Sequence, residues 1–168
     1  METNVSGNKG SDDAPCVYHY KERNVAKIKI ILVLYIAFVF IQSLFYKFSD
    51  APETQHIFST LDAWAAGFVQ AGLFAPGGIF SAKVIGSAEL VAALVLIASL
   101  ITRLVLLRIV GAVLVLGIMS GAIFFHLFTP LGVDVQNDGG LLFGMACGVW
   151  TSAAALLAME RTYIRKLV

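Results

Sequence analysis

Charge is scarce in this sequence: Asp, Glu, Lys and Arg together make up 14% of its 168 residues, where soluble domains carry about 25%. Apolar residues reach 58% against a usual share of roughly 45–50%, so a typical soluble globular domain is excluded. Neither sign of charge dominates. Twelve Lys and Arg against eleven Asp and Glu leave a formal charge of +1, too balanced for the basic footprint of a nucleic-acid binder. Cysteine is nearly missing. Cys16 and Cys147 lie far apart and outside any CxxC or Cys/His cluster, which supports neither a disulfide framework nor a metal site. A secretory leader is not expected either, because the first apolar run begins only near Val25 and no small-residue cleavage pattern follows it.

What the sequence does have is four long runs with almost no charge. Residues 1–24 are polar and hold too little apolar surface to offset the entropy of ordering, so a disordered cytoplasmic tail is expected there, with a membrane domain over 25–168. Residues 28–48, 83–101, 104–128 and 139–159 are each long enough, at about 1.5 Å per residue, to cross a hydrocarbon core of about 30 Å. The expected fold is all-α: a four-transmembrane-helix antiparallel bundle. Only Thr102 and Arg103 separate the second run from the third, which demands a tight antiparallel hairpin. The fourth run carries no charge.

Basic residues set the orientation. Lys9, Lys21, Arg23, Lys27, Lys29, Arg103, Arg108, Arg161, Arg165 and Lys166 would lie on the tail side, against Lys47 and Lys83 on the other. Both termini are therefore expected in the cytoplasm, with a bacterial inner membrane as the setting. The first outer segment, residues 49–82, is long. Within it Ile57, Phe58, Leu61, Trp64, Phe68 and Val69 recur at helical spacing, which predicts an amphipathic helix over about 52–71, with Leu61, Trp64 and Phe68 buried against the bundle or the interface. Asp50 as N-cap with Glu53 three residues on reads as a capping box.

The ionisable residues inside the runs are the candidates for chemistry. Ala82, Gly86, Glu89 and Ala93 share one face of the second run, so Glu89 is expected to face protein, roughly 9 Å along the helix from Lys83. An unpaired carboxylate there is costly and needs a cation or donors. Lys47, Tyr46, Gln42, Lys83 and His126 are available at the same depth. On the first helix Tyr35, Val39, Gln42 and Tyr46 form a stripe expected to point its polar groups inward. Glu89, His126 and Lys47 are thus candidate catalytic, proton-handling residues, and Gln42, Tyr46 and Tyr35 candidate ligand-binding ones. The alternative is a structural Lys–Glu pair beside an interfacial histidine. Haem is disfavoured, since one imidazole within the bundle cannot give bis-histidine ligation. Cys147, mid-helix and apolar in its surroundings, reads as an inert core thiol. Gly140, Gly144, Gly148 and Ser152 at four-residue spacing, with Gly117 and Gly121, mark close-packing faces within the bundle or between two copies.

The stretch Gly86-Ser-Ala-Glu89-Leu-Val-Ala-Ala-Leu-Val-Leu, then Ile101-Thr-Arg103, then Ala122-Ile-Phe-Phe-His126-Leu, resembles the DoxX-like family of small four-helix membrane proteins. Lys47-Phe48 at the end of the first run adds to the resemblance, which covers roughly residues 25–160. It implies two functions of different classes. One is a quinone-interacting membrane subunit of a redox system, with no covalent cofactor and with electrons supplied by a partner protein. In that reading Glu89 exchanges protons and His126 or Lys47 polarises a quinone carbonyl. The other is a non-catalytic scaffold or assembly factor for other membrane proteins, with the lipid bilayer and a possible second copy as partners.

Overall fold

A computed structural model describes the backbone of residues 14–167 and the side chains of residues 23–165. Five helices follow in order: α1 (Ala14–Phe48), α2 (Pro52–Phe68), α3 (Ala82–Thr102), α4 (Val105–Phe128) and α5 (Leu141–Leu167). Four segments are long and apolar enough to span a membrane, Arg23–Phe48, Ala82–Thr102, Val105–Phe128 and Leu141–Arg165. The chain is an all-α, multi-pass integral membrane protein. α1 packs on α3, α3 on α4, α4 on α5, and α5 closes the ring back onto α1. The α3–α4 turn and the C-terminal part of α5 mark a tail end; α2 and the α4–α5 connection mark a loop end. Of the segment expected as a disordered tail, residues 1–13 lie outside the described residues, and residues 14–24 belong to α1.

Each core face is a stripe of alternating four- and three-residue steps, the spacing that keeps one side of a helix on its partners. On α1 it runs Lys29, Val33, Ile36, Phe40, Ser43, Lys47, and the three apolar members are no more than 1% exposed. On α4 it runs Arg108, Ala112, Val115, Met119, Ala122, His126. Ala92, Ala93 and Leu96 of α3 and Val149, Ala153 and Leu156 of α5 complete the core. Among the described residues, three glycines bring the backbone close to a neighbouring helix. A Cβ on Gly86 would meet Phe48 and Lys47, one on Gly111 would lie 2.8 Å from Leu96, and one on Gly148 would lie 2.6 Å from the Tyr35 hydroxyl. Of the glycines singled out by spacing, Gly117, Gly121 and Gly144 have nothing within 4 Å of such a Cβ. Four-residue spacing identifies a shared face, but the partner helix decides which face is close.

α2 covers the loop end through a second, smaller core. Leu61 and Ala65 bury against Phe74, Leu131 and Val135, with Trp64 and Phe125 packed at the edge. Trp64 meets Phe125 edge-on at 6.3 Å. Two expectations for this helix are corrected. Phe68 is 78% exposed and so not buried against the bundle, because the helix ends there and the cap core lies on the Leu61 side; of its two expected places, only the membrane interface remains. The capping box does not form: Ala51 is the N-cap, and Asp50 takes a left-handed φ of 51°. Thr54 instead donates to the Tyr46 carbonyl at 3.0 Å and ties α2 to α1.

Asp138 organises the α4–α5 connection. Its carboxylate accepts the backbone N–H groups of Leu142, Gly140 and Val135 at 2.9 to 3.0 Å, in a loop where Gln136, Asn137, Gly139 and Gly140 all have positive φ. These bonds, led by that of Leu142, hold the carboxyl below its ordinary value of 3.8. The cap's contribution is therefore complete at neutral pH and is lost as pH falls through the lowered value. Asp138→Ala is expected to lower stability by about 1 kcal/mol at pH 7, with the gap to wild type closing in acid, checked by thermal unfolding against pH. In the membrane core, Gly111→Val is expected to destabilise by about 1–3 kcal/mol through overpacking against Leu96. Gly117→Ala is expected to be neutral or stabilising by up to about 1 kcal/mol, measured by unfolding in detergent.

Candidate functional site

The core stripes are apolar in the middle and polar where they end. At the loop end α1 supplies Ser43 and Lys47, one turn apart, and α3 supplies Glu89 from the face it shares with Gly86. Lys47 Nζ lies 2.6 and 2.8 Å from the two Glu89 oxygens and 3.2 Å from Ser43 Oγ. Ser43 Oγ donates to Glu89 Oε2 at 2.7 Å. All three N–H bonds of the ammonium thus have acceptors, and both carboxylate oxygens have donors. Glu89 is 3% exposed, and Gly86 permits the approach, since a Cβ there would press on the Phe48 ring at 3.1 Å and touch the Lys47 stem at 3.4 Å. Glu89 accordingly faces protein and pairs with Lys47. Ser43 was not a sequence candidate, although its position four residues before Lys47 places it on the same stripe.

A second buried cluster closes the tail end and was missed in the sequence. Glu160 of α5, 6% exposed, receives Lys29 of α1 at 2.7 Å and Arg108 of α4 at 2.6 Å. The uncharged run that marks the fourth span, residues 139–159, stops one residue short of Glu160. Its signal was available in the register: Glu160 follows Val149, Ala153 and Leu156 at core spacing, as Lys29 and Arg108 stand at the first position of theirs.

The other candidates do not join Glu89. His126 is buried, but its Nδ1 lies 2.7 Å from the Gly132 carbonyl and its ring packs edge-on to Phe143. That contact fixes the protonated nitrogen as Nδ1 in the neutral ring and anchors the α4–α5 connection. Lys83 pairs at 3.7 Å with Asp50 on the surface, an exposed contact of little energetic weight. Gln42, Tyr46 and Tyr35 face away from the core: the tyrosines are 50% and 38% exposed and Gln42 is exposed too. The inward stripe is the neighbouring one, a single residue further along the helix, because Lys47 must reach Glu89. Tyr35 crosses instead onto α5, with its hydroxyl over Gly148.

No family model, no curated protein and no solved structure matches the chain.

The cluster at Glu89 behaves as one unit. Lys47→Met strands the buried carboxylate and is expected to lower stability by about 3–5 kcal/mol. Glu89→Gln in that background is expected to recover much of the loss, giving a coupling of several kcal/mol in a double-mutant cycle followed by unfolding in detergent.

Proposed function

We propose that the chain is a DoxX-like protein of a bacterial inner membrane, with both termini cytoplasmic, that acts as a non-catalytic scaffold or assembly factor for other membrane proteins. One observation carries the reading: both interior carboxylates are already taken up by protein cations, and the buried imidazole is held through its Nδ1. Glu89 is held by Lys47 and Ser43, Glu160 by Lys29 and Arg108, and His126 by the Gly132 carbonyl. A group that exchanges protons with a substrate, or polarises it, needs a vacant lone pair or N–H aimed at the reacting atom. The outward glycines Gly117, Gly121 and Gly144 leave room for a partner helix or a second copy to approach. Among the described residues the tail end holds Arg23, Lys27, Lys29, Arg103, Arg108, Arg161 and Arg165, against Lys47 and Lys83 at the loop end, which supports the orientation.

The α1 flank favours a second reading. Tyr35, Gln42 and Tyr46 present hydrogen-bonding groups on the outer face of α1, Tyr35 with its hydroxyl beside Gly148, where a quinone arriving from lipid would find donors for its carbonyls. In that reading Glu89, His126 and Lys47 handle protons, and a partner protein supplies the electrons.

Purification in mild detergent separates the two. A co-purifying membrane protein that is lost on Gly117→Leu, with no stoichiometric quinone in the lipid extract, is the expected result. A quinone retained at one per chain and lost on Gln42→Leu would sink the scaffold reading in favour of the second. For orientation, in a chain with both native cysteines replaced by serine, Gln136→Cys is expected to label from outside intact cells and Arg103→Cys only after lysis; the reverse pattern would overturn it.

A further inference from the structure

The tail-end cluster is not balanced. Lys29 and Arg108 bring two positive charges to Glu160, and both contact the same oxygen, Oε1. One positive charge is left over at a site where the three side chains are 17%, 13% and 7% exposed. Among the described residues Glu160 is the sole carboxylate at this end of the bundle, while Arg23, Lys27, Arg103, Arg161 and Arg165 lie exposed around it. A second, independent sign is that Arg108 Nε is buried without a hydrogen-bond partner. The guanidinium offers five N–H bonds, and Nη1 donates to Glu160 at 2.6 Å. Contrast the loop end, where Lys47 and Glu89 cancel and every N–H of the ammonium has an acceptor.

The geometry points to the tail-end cluster as a binding site for the phosphate of an anionic phospholipid. Charge and place select this ligand. Lys29 stands eighteen residues before Lys47 on the same stripe, about 27 Å along the axis, so the two clusters sit near opposite boundaries of the hydrocarbon core. Phosphate groups lie at that level, whereas free anions must cross from bulk water. The phosphate supplies what the cluster lacks: one negative charge, and oxygens planar enough in arrangement for the unpaired guanidinium edge to grip. Glu160 keeps both cations at one height and competes with the phosphate for them.

That competition gives the test its sign. The full chain is purified in neutral detergent, and its unfolding midpoint is followed as phosphatidylglycerol, phosphatidylcholine or inorganic phosphate is added. Phosphatidylglycerol is expected to raise the midpoint saturably, and the other two are not. Arg108→Gln is expected to raise the half-saturating concentration about fivefold, the weight of one basic side chain at an anionic surface. Glu160→Gln is expected to lower it by a similar factor even if the variant is less stable without lipid, and Lys83→Gln at the far end is expected to leave it unchanged. Should Arg108→Gln fail to fold, Lys29→Gln and Glu160→Gln carry the comparison. Equal stabilisation by phosphatidylcholine, or weaker rather than tighter binding in Glu160→Gln, overturns the site. Inorganic phosphate matching phosphatidylglycerol overturns the lipid as its ligand.

Discussion

Inside a bilayer no solvent can match a charge, so every ionisable side chain below the headgroups has to find its partner within the protein. That single constraint orders this bundle. α1 bears a lysine at each end of its core stripe, and each lysine takes a carboxylate from a different helix: Glu89 of α3 at the loop end and Glu160 of α5 at the tail end. The heights of α3 and α5 relative to α1 are thereby fixed, and α4 is tied in through Arg108. Between the two clusters the stripe is apolar, and the packing that fills it depends on those heights being right. Replacing both partners of such a pair by apolar groups often costs little, whereas removing one is severe. The pairs therefore specify the arrangement of helices more than they stabilise it.

The loop end is built on a different principle. α2 and the two connections make a small core of their own, from Leu61, Ala65, Phe74, Leu131 and Val135. Its backbone turns are held by carboxylates: Asp62 takes the Phe74 N–H at 2.9 Å, and Asp138 caps α5. His126 connects this cap to the membrane core, since its ring lies in the α4 stripe while its Nδ1 holds Gly132. A loop assembly of this kind needs no lipid to order it. It closes the mouth of the bundle with side chains that would otherwise sit at the water boundary.

Much of this architecture is legible in the sequence, because hydrophobic length and helical period are strong signals. The four spans, α2 and the inward face of Glu89 follow from them, with Lys47 one of five partners at its depth. The α1 stripe was placed one residue off, since Gln42, Tyr35 and Tyr46 look polar enough to belong inside; in a membrane, however, tyrosine is at home toward lipid and the pairing of Lys47 decides the register. Glu160 escaped notice because it stands one residue beyond an uncharged run, beside Arg161. Asp50 and Glu53 have capping-box spacing, but the turn out of α1 puts Asp50 in the left-handed region, where its side chain cannot cap. Glycine spacing marks candidate contacts, yet among those singled out only Gly86 and Gly148 meet another helix closely, while Gly111 does so without any motif around it.

The clamping of α1 at both ends also limits how the molecule can move. Sliding α1 along its axis by one helical turn is a displacement of about 5.4 Å, twice the 2.6 and 2.7 Å contacts made by Lys47 and Lys29. Such a piston stroke would break both ion pairs together, at about 3–5 kcal/mol each. Thermal motion does not supply that. The displacement left to the bundle is a change of helix tilt small enough to keep Lys47 on Glu89 and Lys29 on Glu160. A mechanical signal received at one membrane face would cross to the other as a change in helix angle, with α1 as the fixed post.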